Sequence, residues 1–170
     1  MTAVLLTLTS AGLLASCTSA VQGAATPQAT PAQPSNADNA KPLAKFSSCD
    51  MLGQATAGMG YSTPVPSIAD PKKSCESEKQ GFGGVSLLLQ PDKAINERPS
   101  SGNAKSAHIG SRVVIQTAEP IGTKGDCNIA MEVQPSSQAV VIVSNNMGDT
   151  NEACTRAQSF AEKLHGMLPP

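Results

Sequence analysis

The sequence is poor in aromatic residues: it contains no tryptophan, one tyrosine and three phenylalanines. Stacking surfaces for nucleotide bases or sugars are therefore scarce, because aromatic side chains supply them. The 170-residue chain also has little net charge, −1 at neutral pH, so no basic field attracts nucleic acid. The length suits one domain with its own core, and the composition predicts that nucleic acid is not a partner.

Motifs for metal, cofactor and redox chemistry are also missing. The five cysteines include no CxxC pair, and the two histidines, His108 and His165, have no neighbouring ligand residues in the sequence. The glycine-rich stretch GFGG at 81–84 lacks the Lys-Ser/Thr that follows in a phosphate-binding loop. The sequence therefore predicts no metal site and no cofactor.

The N-terminal segment has no early positive charge, since the first basic residue is Lys41, whereas signal peptides normally open with lysine or arginine. Positions 3–15 are nevertheless apolar, long enough for the hydrophobic region of a signal peptide and too short for a comfortable membrane span. We predict a signal peptide over residues 1–16, with the true start upstream of Met1. The alternative is an apolar leader without a targeting function.

The four residues Leu14-Ala15-Ser16-Cys17 resemble the lipobox of bacterial lipoprotein precursors, in which an aliphatic and two small residues precede a cysteine. In such precursors the cysteine thiol receives a diacylglycerol and becomes the first residue of the mature protein. The resemblance implies that acylated Cys17 holds the protein on a lipid membrane, since two or more acyl chains anchor stably. An ordinary signal peptide with a chance cysteine is the alternative.

Residues 17–45 continue the chain as a segment rich in alanine, proline and threonine, with almost no large apolar side chain. Such a composition cannot bury enough apolar surface to offset the entropy of ordering. We therefore predict a disordered tether between Cys17 and a folded extracytoplasmic domain at 46–170.

The folded domain is predicted to be of the α+β class, with an antiparallel sheet of about five strands and an N-terminal and a C-terminal helix packed on it. The first helix opens with a serine cap at Ser47 and is expected to stop at Gly60. The last helix opens at Asp149, where Glu152 fits a capping-box pattern. The stretch 91–108 is predicted to be mostly loop. Apolar patterning predicts five strands: 72–79, 83–90, 111–118, 127–134 and 139–143.

The remaining cysteines are even in number, as is typical of disulfides in an exported domain: Cys49, Cys75, Cys127 and Cys154. Four cysteines allow three pairings. Cys127 lies on the apolar face of its predicted strand and Cys154 on the apolar stripe of the last helix, so packing turns the two thiols toward each other. We predict Cys127 with Cys154, and Cys49 with Cys75.

Several short motifs follow the lipobox and the tether in a fixed order. They are Ser-Cys-Asp-Met-Leu at 48–52, His-Ile-Gly-Ser-Arg at 108–112, Cys-Asn-Ile at 127–129 and Glu-Ala-Cys at 152–154. Through these motifs the chain resembles, over most of 46–169, the actinobacterial lipoproteins grouped as domain of unknown function 3558. The resemblance implies an α+β domain on the outer face of the cell membrane, with no established activity.

These features predict a lipoprotein anchored to the extracytoplasmic face of the cell membrane. Because no catalytic motif is recognised, we expect a non-enzymatic binding module for an envelope ligand or a protein partner. The alternative is an envelope enzyme with an unrecognised active site, for which Asp92, Glu97 and His108 would be the candidates. The sequence does not identify the ligand-binding residues, nor whether the stretch 91–108 is a lid.

Overall fold

The computed structural model describes residues 42–97 and 103–170. These residues form a seven-stranded antiparallel sheet with two α-helices packed on one face, so the domain belongs to the predicted α+β class. Within the same residues no helix is long and apolar enough to cross a membrane. The predicted signal peptide, Cys17 and most of the predicted tether lie outside the described residues.

Two α-helices and seven strands make up the described fold. The helices are α1 at Ser48–Thr56 and α2 at Thr150–His165. The strands are β1 at Val65–Pro66, β2 at Ser74–Lys79, β3 at Gly83–Gln90, β4 at Ala104–Ile109, β5 at Arg112–Ala118, β6 at Asp126–Gln134 and β7 at Ser137–Asn145. Their order across the sheet is β1-β2-β3-β7-β6-β5-β4, and every neighbouring pair is antiparallel.

The prediction of about five strands was wrong in number, because β1 and β4 leave no pattern in the sequence. β1 has only two residues, one of them Pro66, which is too few for alternation to show. β4 falls in the stretch 91–108 that was predicted to be mostly loop. All its side chains from Lys105 to His108 are exposed, so no buried face imposes a period of two. The five predicted strands each correspond to an observed strand.

One face of the sheet, which we call the covered face, carries both helices. On β3, Val85, Leu87 and Leu89 point to this face and are at most 3% exposed. α1 packs on β2 and β3, and α2 packs on β6 and β7. The main core therefore lies between the helices and the central strands, and its largest fully buried side chains include Leu43, Leu52, Met131, Phe160 and Leu164.

The opposite face, which we call the open face, has no α-helix on it in the described part of the chain. Ala130 and Val140 are nevertheless buried there, packed with Ile95 from a 3₁₀ turn at Ile95–Glu97. We call residues 91–97 the strap, because they lie on the open face after leaving β3. Around this contact lie half-buried apolar side chains: Leu88, Val113, Ile115 and Ile142.

Both helices begin at the side-chain caps that the sequence predicts. Ser47 Oγ accepts a hydrogen bond from the Asp50 backbone N–H at 3.2 Å, and Asp149 Oδ1 accepts one from the Glu152 N–H at 2.9 Å. The Glu152 carboxylate does not return to the cap. It accepts instead from the Arg156 guanidinium one turn along the helix, at 2.8 Å from Nη2. The helix starts are thus confirmed, and the reciprocal half of the capping box is replaced by an ion pair.

The end of α1 comes earlier than the sequence predicts. The helix stops at Thr56, whose hydroxyl donates back to the Leu52 carbonyl at 2.8 Å. Gly58 then adopts a left-handed conformation with φ 72°, which turns the chain away before the expected stop at Gly60. Met59 lies beyond the helix and still packs against the core.

The cysteines pair as the sequence predicts: Cys49 with Cys75, and Cys127 with Cys154. In both pairs the Cα atoms are 5.0 Å apart, within the usual range for a disulfide. The strand cysteines Cys75 and Cys127 are buried on the covered face, 1% and 0% exposed. Each helix is therefore tied covalently to the sheet beneath it.

Candidate functional site

The three residues of the enzyme alternative lie at different places in the fold. Asp92 Oδ1 is 3.5 Å from Lys73 Nζ, in an exposed ion pair just beyond β3. Glu97 is the last residue of the strap. His108 lies in β4, the fourth strand from β3 across the sheet. At the usual strand spacing, β3 and β4 are about 19 Å apart. Among the residues the structure describes, no three His, Cys, Asp or Glu side chains cluster to hold a metal ion. The geometry therefore gives Asp92 and His108 no shared centre.

A pocket opens where the described chain enters the fold, and we call it the entry pocket. It has a volume of about 220 Å³ and lies between the 3₁₀ turn Pro42–Lys45, the start of β2 and the end of β3. Leu43 on that turn is 1% exposed and packs in the main core with Leu89. The packed domain thus includes four residues that the sequence predicts to be tether.

The entry pocket combines apolar walls with a cationic rim. Five apolar residues form the walls: Leu43, Ala44, Phe46, Leu89 and Pro91. Phe46 reaches the surface, with 38% of its area exposed. Lys72 and Lys73 line the rim. Apolar walls favour hydrocarbon and ammonium groups favour anions, so the arrangement suits an anionic amphiphile.

The two rim lysines differ in their neighbours. Lys73 forms the exposed ion pair with Asp92, a kind of contact that contributes little free energy in water. Lys72 is exposed, and no ion pair joins it to another described residue. Lys72 is therefore the rim cation that is most free to meet an anionic ligand.

A second cavity, which we call the polar groove, lies between α2 and the strands β4 and β5. Its volume is about 270 Å³, and the disulfide partner Cys154 forms part of its lining. Amides and hydroxyls supply most of its polar groups: Asn103, Gln116, Thr150, Asn151, Thr155 and Gln158. Lys105 is the charged residue at its edge, and the described lining includes neither a carboxylate nor an imidazole. The groove can form hydrogen bonds, and Lys105 is the one side chain in its described lining of a type that serves in acid–base catalysis.

Arg112, from the His-Ile-Gly-Ser-Arg motif, is only 8% exposed. Its Nη1 donates to the Val133 carbonyl at 3.1 Å, and its Nη2 donates to the Pro169 carbonyl. Burial lowers the pKa of Arg112. Nearby, Gly110 has φ 59° and leaves room for the His165 ring, which a side chain there would strike. The motif therefore has a structural role, because it fastens the segment after α2 to the sheet.

Three of the four aromatic side chains meet beside α2, although the sequence spreads them over a hundred residues. The rings of Tyr61 and Phe160 pack edge to face, with centroids 5.6 Å apart. The Arg156 guanidinium lies 4.0 Å from the centre of the Phe82 ring. Burial raises the pKa of Tyr61, and the Arg156 charge offsets part of the rise. No periodicity links these positions, so the sequence carries no signal for the cluster.

Comparisons with protein-family models, with curated proteins and with solved structures find no match for this chain. Membership of the actinobacterial lipoprotein family therefore stays a prediction that depends on short motifs.

Proposed function

We propose that this chain is a lipid-anchored protein of the extracytoplasmic face of the cell membrane, with a non-enzymatic role in binding an envelope ligand or a protein partner. The observation that carries the proposal is the pairing of the cysteines. The four cysteines of the described domain pair with one another, which leaves none of them to pair with Cys17. Cys17 is then available for acylation within its lipobox.

The two disulfides support an extracytoplasmic location. Reducing compartments keep thiols free, whereas disulfides persist in exported proteins. Each bond joins cysteines 26 or 27 residues apart, and a loop of that size corresponds to about 3–4 kcal/mol of stability in the loop-entropy model. A small domain has only about 5–15 kcal/mol in total, so a reducing compartment would remove a large fraction of its stability.

The character of the cavities supports binding rather than catalysis. Ligand sites are usually concave and mostly apolar, with a few charged or polar groups that orient the ligand. The entry pocket has this composition, since Leu43 and Leu89 lie beneath the rim formed by Lys72 and Lys73. The separation of Asp92 from His108 argues against acid–base catalysis by these two residues.

The anchoring is tested by measuring the mass of the chain recovered from the membranes of a bacterial host that acylates lipoproteins. We expect a chain that begins at Cys17, carries a diacylglyceryl group there, and has lost two hydrogens for each of its two disulfides. The matched control is Cys17→Ala, which should leave the membrane fraction and keep both disulfides. An unmodified Cys17 thiol, or a disulfide between Cys17 and another cysteine, contradicts the proposal.

A further inference from the structure

The end of the sheet where β2 begins and β3 finishes, which we call the entry end, brings apolar and cationic groups together. The entry pocket opens at this end. Ile68, in the same connection as Lys72 and Lys73, is 96% exposed, and Phe46 is 38% exposed. Large apolar side chains exposed beside lysines are typical of surfaces that meet an amphiphilic partner.

The opposite end of the sheet also exposes apolar side chains, but its charges differ. Ile121 is 84% exposed and Met147 is 82% exposed. The connections at this end, 119–126 and 146–149, carry Lys124 against Glu119, Asp126 and Asp149. The entry end and the strap instead carry one more lysine than acids: Lys45, Lys72, Lys73 and Lys93 against Asp70, Asp92 and Glu97. Exposed isoleucine is therefore common to both ends, whereas a net positive charge distinguishes the entry end.

We propose that the entry end binds the anionic lipids of the membrane. Lys72 and Lys45 face the lipid phosphates, Ile68 inserts among the acyl chains, and the entry pocket takes part of one chain between Phe46 and Leu89. The inference deepens the proposed binding role and rests on the proposed anchoring, because the membrane that holds Cys17 supplies the lipid.

The size of the entry pocket fits part of a lipid rather than a whole ligand. Its volume of about 220 Å³ is below the range of about 300–1,000 Å³ that is usual for drug-sized ligands. The walls made by Leu43 and Leu89 are apolar, so a hydrocarbon segment loses contact with water when it enters. The lysines stand at the mouth, where a phosphate attached to that segment would lie.

The position of the entry end along the chain also favours membrane lipid as the ligand. Pro42, the first described residue, lies on the turn that forms the pocket, and Cys17 is about 25 residues upstream. A chain of that length spans at most about 85 Å. Anchoring at Cys17 would therefore keep lipid at a high effective concentration around the entry end, so weak contacts would suffice.

The lysine contribution is tested by sedimentation with lipid vesicles. The protein is the chain from residue 17 onward with Cys17→Ser, which cannot be acylated, and the vesicles are phosphatidylcholine with or without phosphatidylglycerol. We expect binding only when phosphatidylglycerol is present, and a loss of about tenfold in Lys72→Glu because the substitution reverses a charge near the phosphates. The matched control, Lys124→Glu at the opposite end, should bind as the parent chain does.

The insertion of Ile68 is tested with a second matched pair, Ile68→Ser and Ile121→Ser. Both residues are almost fully exposed, so neither substitution should alter the thermal unfolding midpoint by more than about 2 °C. We expect Ile68→Ser to weaken vesicle binding and Ile121→Ser to leave it unchanged. Equal losses in the two variants would show that the entry end is not the contact surface.

The entry of a lipid chain into the pocket is tested with an introduced tryptophan, whose fluorescence reports its surroundings. The chain has no tryptophan, so Phe46→Trp introduces the sole indole emitter. On phosphatidylglycerol vesicles its emission should shift to the blue and be quenched by lipids brominated along the acyl chain. Ile121→Trp is the control, and its emission should show neither the blue shift nor the quenching.

The results separate this inference from the anchoring proposal. Equal binding to both vesicle types, or an unshifted Phe46→Trp spectrum in a folded chain, overturns the lipid contact whatever the state of Cys17. An unmodified Cys17 in the membrane-recovered chain overturns the anchoring, whereas binding of the Cys17→Ser chain to phosphatidylglycerol would still stand.

Discussion

The two faces of the sheet are built by the same strands but are covered in different ways. Leu87 and Leu88 are neighbours on β3: Leu87 is 0% exposed under the helices, and Leu88 is half-buried on the open face. The covered face carries two helices and both disulfides, whereas the described cover of the open face is the strap. We therefore expect most of the stability to come from the covered face, and we expect the open face to tolerate substitutions better.

The attachments of the two covers differ in strength. The helices are joined to the sheet by covalent bonds and a continuous core. The strap is attached by the Ile95 contact, by a hydrogen bond from Gln138 Nε2 to the Ala94 carbonyl at 3.2 Å, and by the exposed ion pair between Asp92 and Lys73. A hydrogen bond of this kind contributes about 1 kcal/mol, far less than a disulfide. Substitutions matched across the two faces should show the difference.

Removing the disulfide between Cys127 and Cys154 should have the largest effect. The double variant Cys127→Ala/Cys154→Ala is expected to lose about 3–4 kcal/mol in the free energy of unfolding, because the unfolded chain regains the entropy of an open loop. Urea unfolding followed by circular dichroism measures the loss. The comparison is with the oxidised parent chain, which keeps both disulfides. A double variant of equal stability would show that α2 is held by packing alone.

Truncating adjacent leucines on β3 compares the faces directly. Leu87→Ala should cost about 3 kcal/mol, since it leaves a cavity in the main core. Leu88→Ala should cost about 1 kcal/mol, because the open face is partly hydrated. Both values come from urea midpoints. Equal costs would mean that the open face is packed as tightly as the covered one.

Loosening the strap should have a smaller effect on stability. Ile95→Ala is expected to cost about 1 kcal/mol and to speed hydrogen exchange in the strap more than in α2. Asn96→Ala is the matched control, because Asn96 is the exposed neighbour of Ile95 and should change neither quantity. Faster exchange throughout the domain would indicate that the strap unfolds only together with the core.

The smallest expected effect is a pH dependence of the stability, which comes from Tyr61 at the margin of the covered face. Burial raises the pKa of Tyr61 above that of the unfolded chain, which is near 10. The unfolded chain therefore loses this proton first, and stability should fall as the pH rises above about 10. Comparing urea midpoints at pH 8 and pH 11 for the parent and Tyr61→Phe isolates the contribution, and the variant should show the shallower fall.

Sequence patterning predicted the strands whose burial imposes a period. On β6, Cys127, Ile129 and Met131 alternate because only one face of the strand meets the main core. On β7 the run 139–143 is continuous because Val140 packs under the strap and Val141 under the helices. β4 has no buried face along most of its length, so nothing in its composition separates it from loop. Apolar–polar alternation in the sequence therefore indicates a strand with one buried face, and it does not reveal an exposed edge strand.

The candidate site was much less predictable than the disulfides. Cys127 and Cys154 each lie on an apolar stripe, and two stripes that pack together define a pairing from local patterns alone. Cys49 and Cys75 belong to the first helix and the first predicted strand. The entry pocket depends instead on Leu43, a single leucine in a polar segment, reaching Leu89 more than forty positions away. No local feature marks such a contact, because the register of a distant strand determines it.

The central position of β7 has a consequence for the time course of folding. β3 is synthesised roughly 50 residues before β7, the strand that must pair with its free edge. Until β7 joins the sheet, β3 has β2 as its available neighbour. An apolar strand with an open edge is prone to join other chains. A chain that lacks β7 would therefore be an aggregation-prone fragment rather than a smaller working domain.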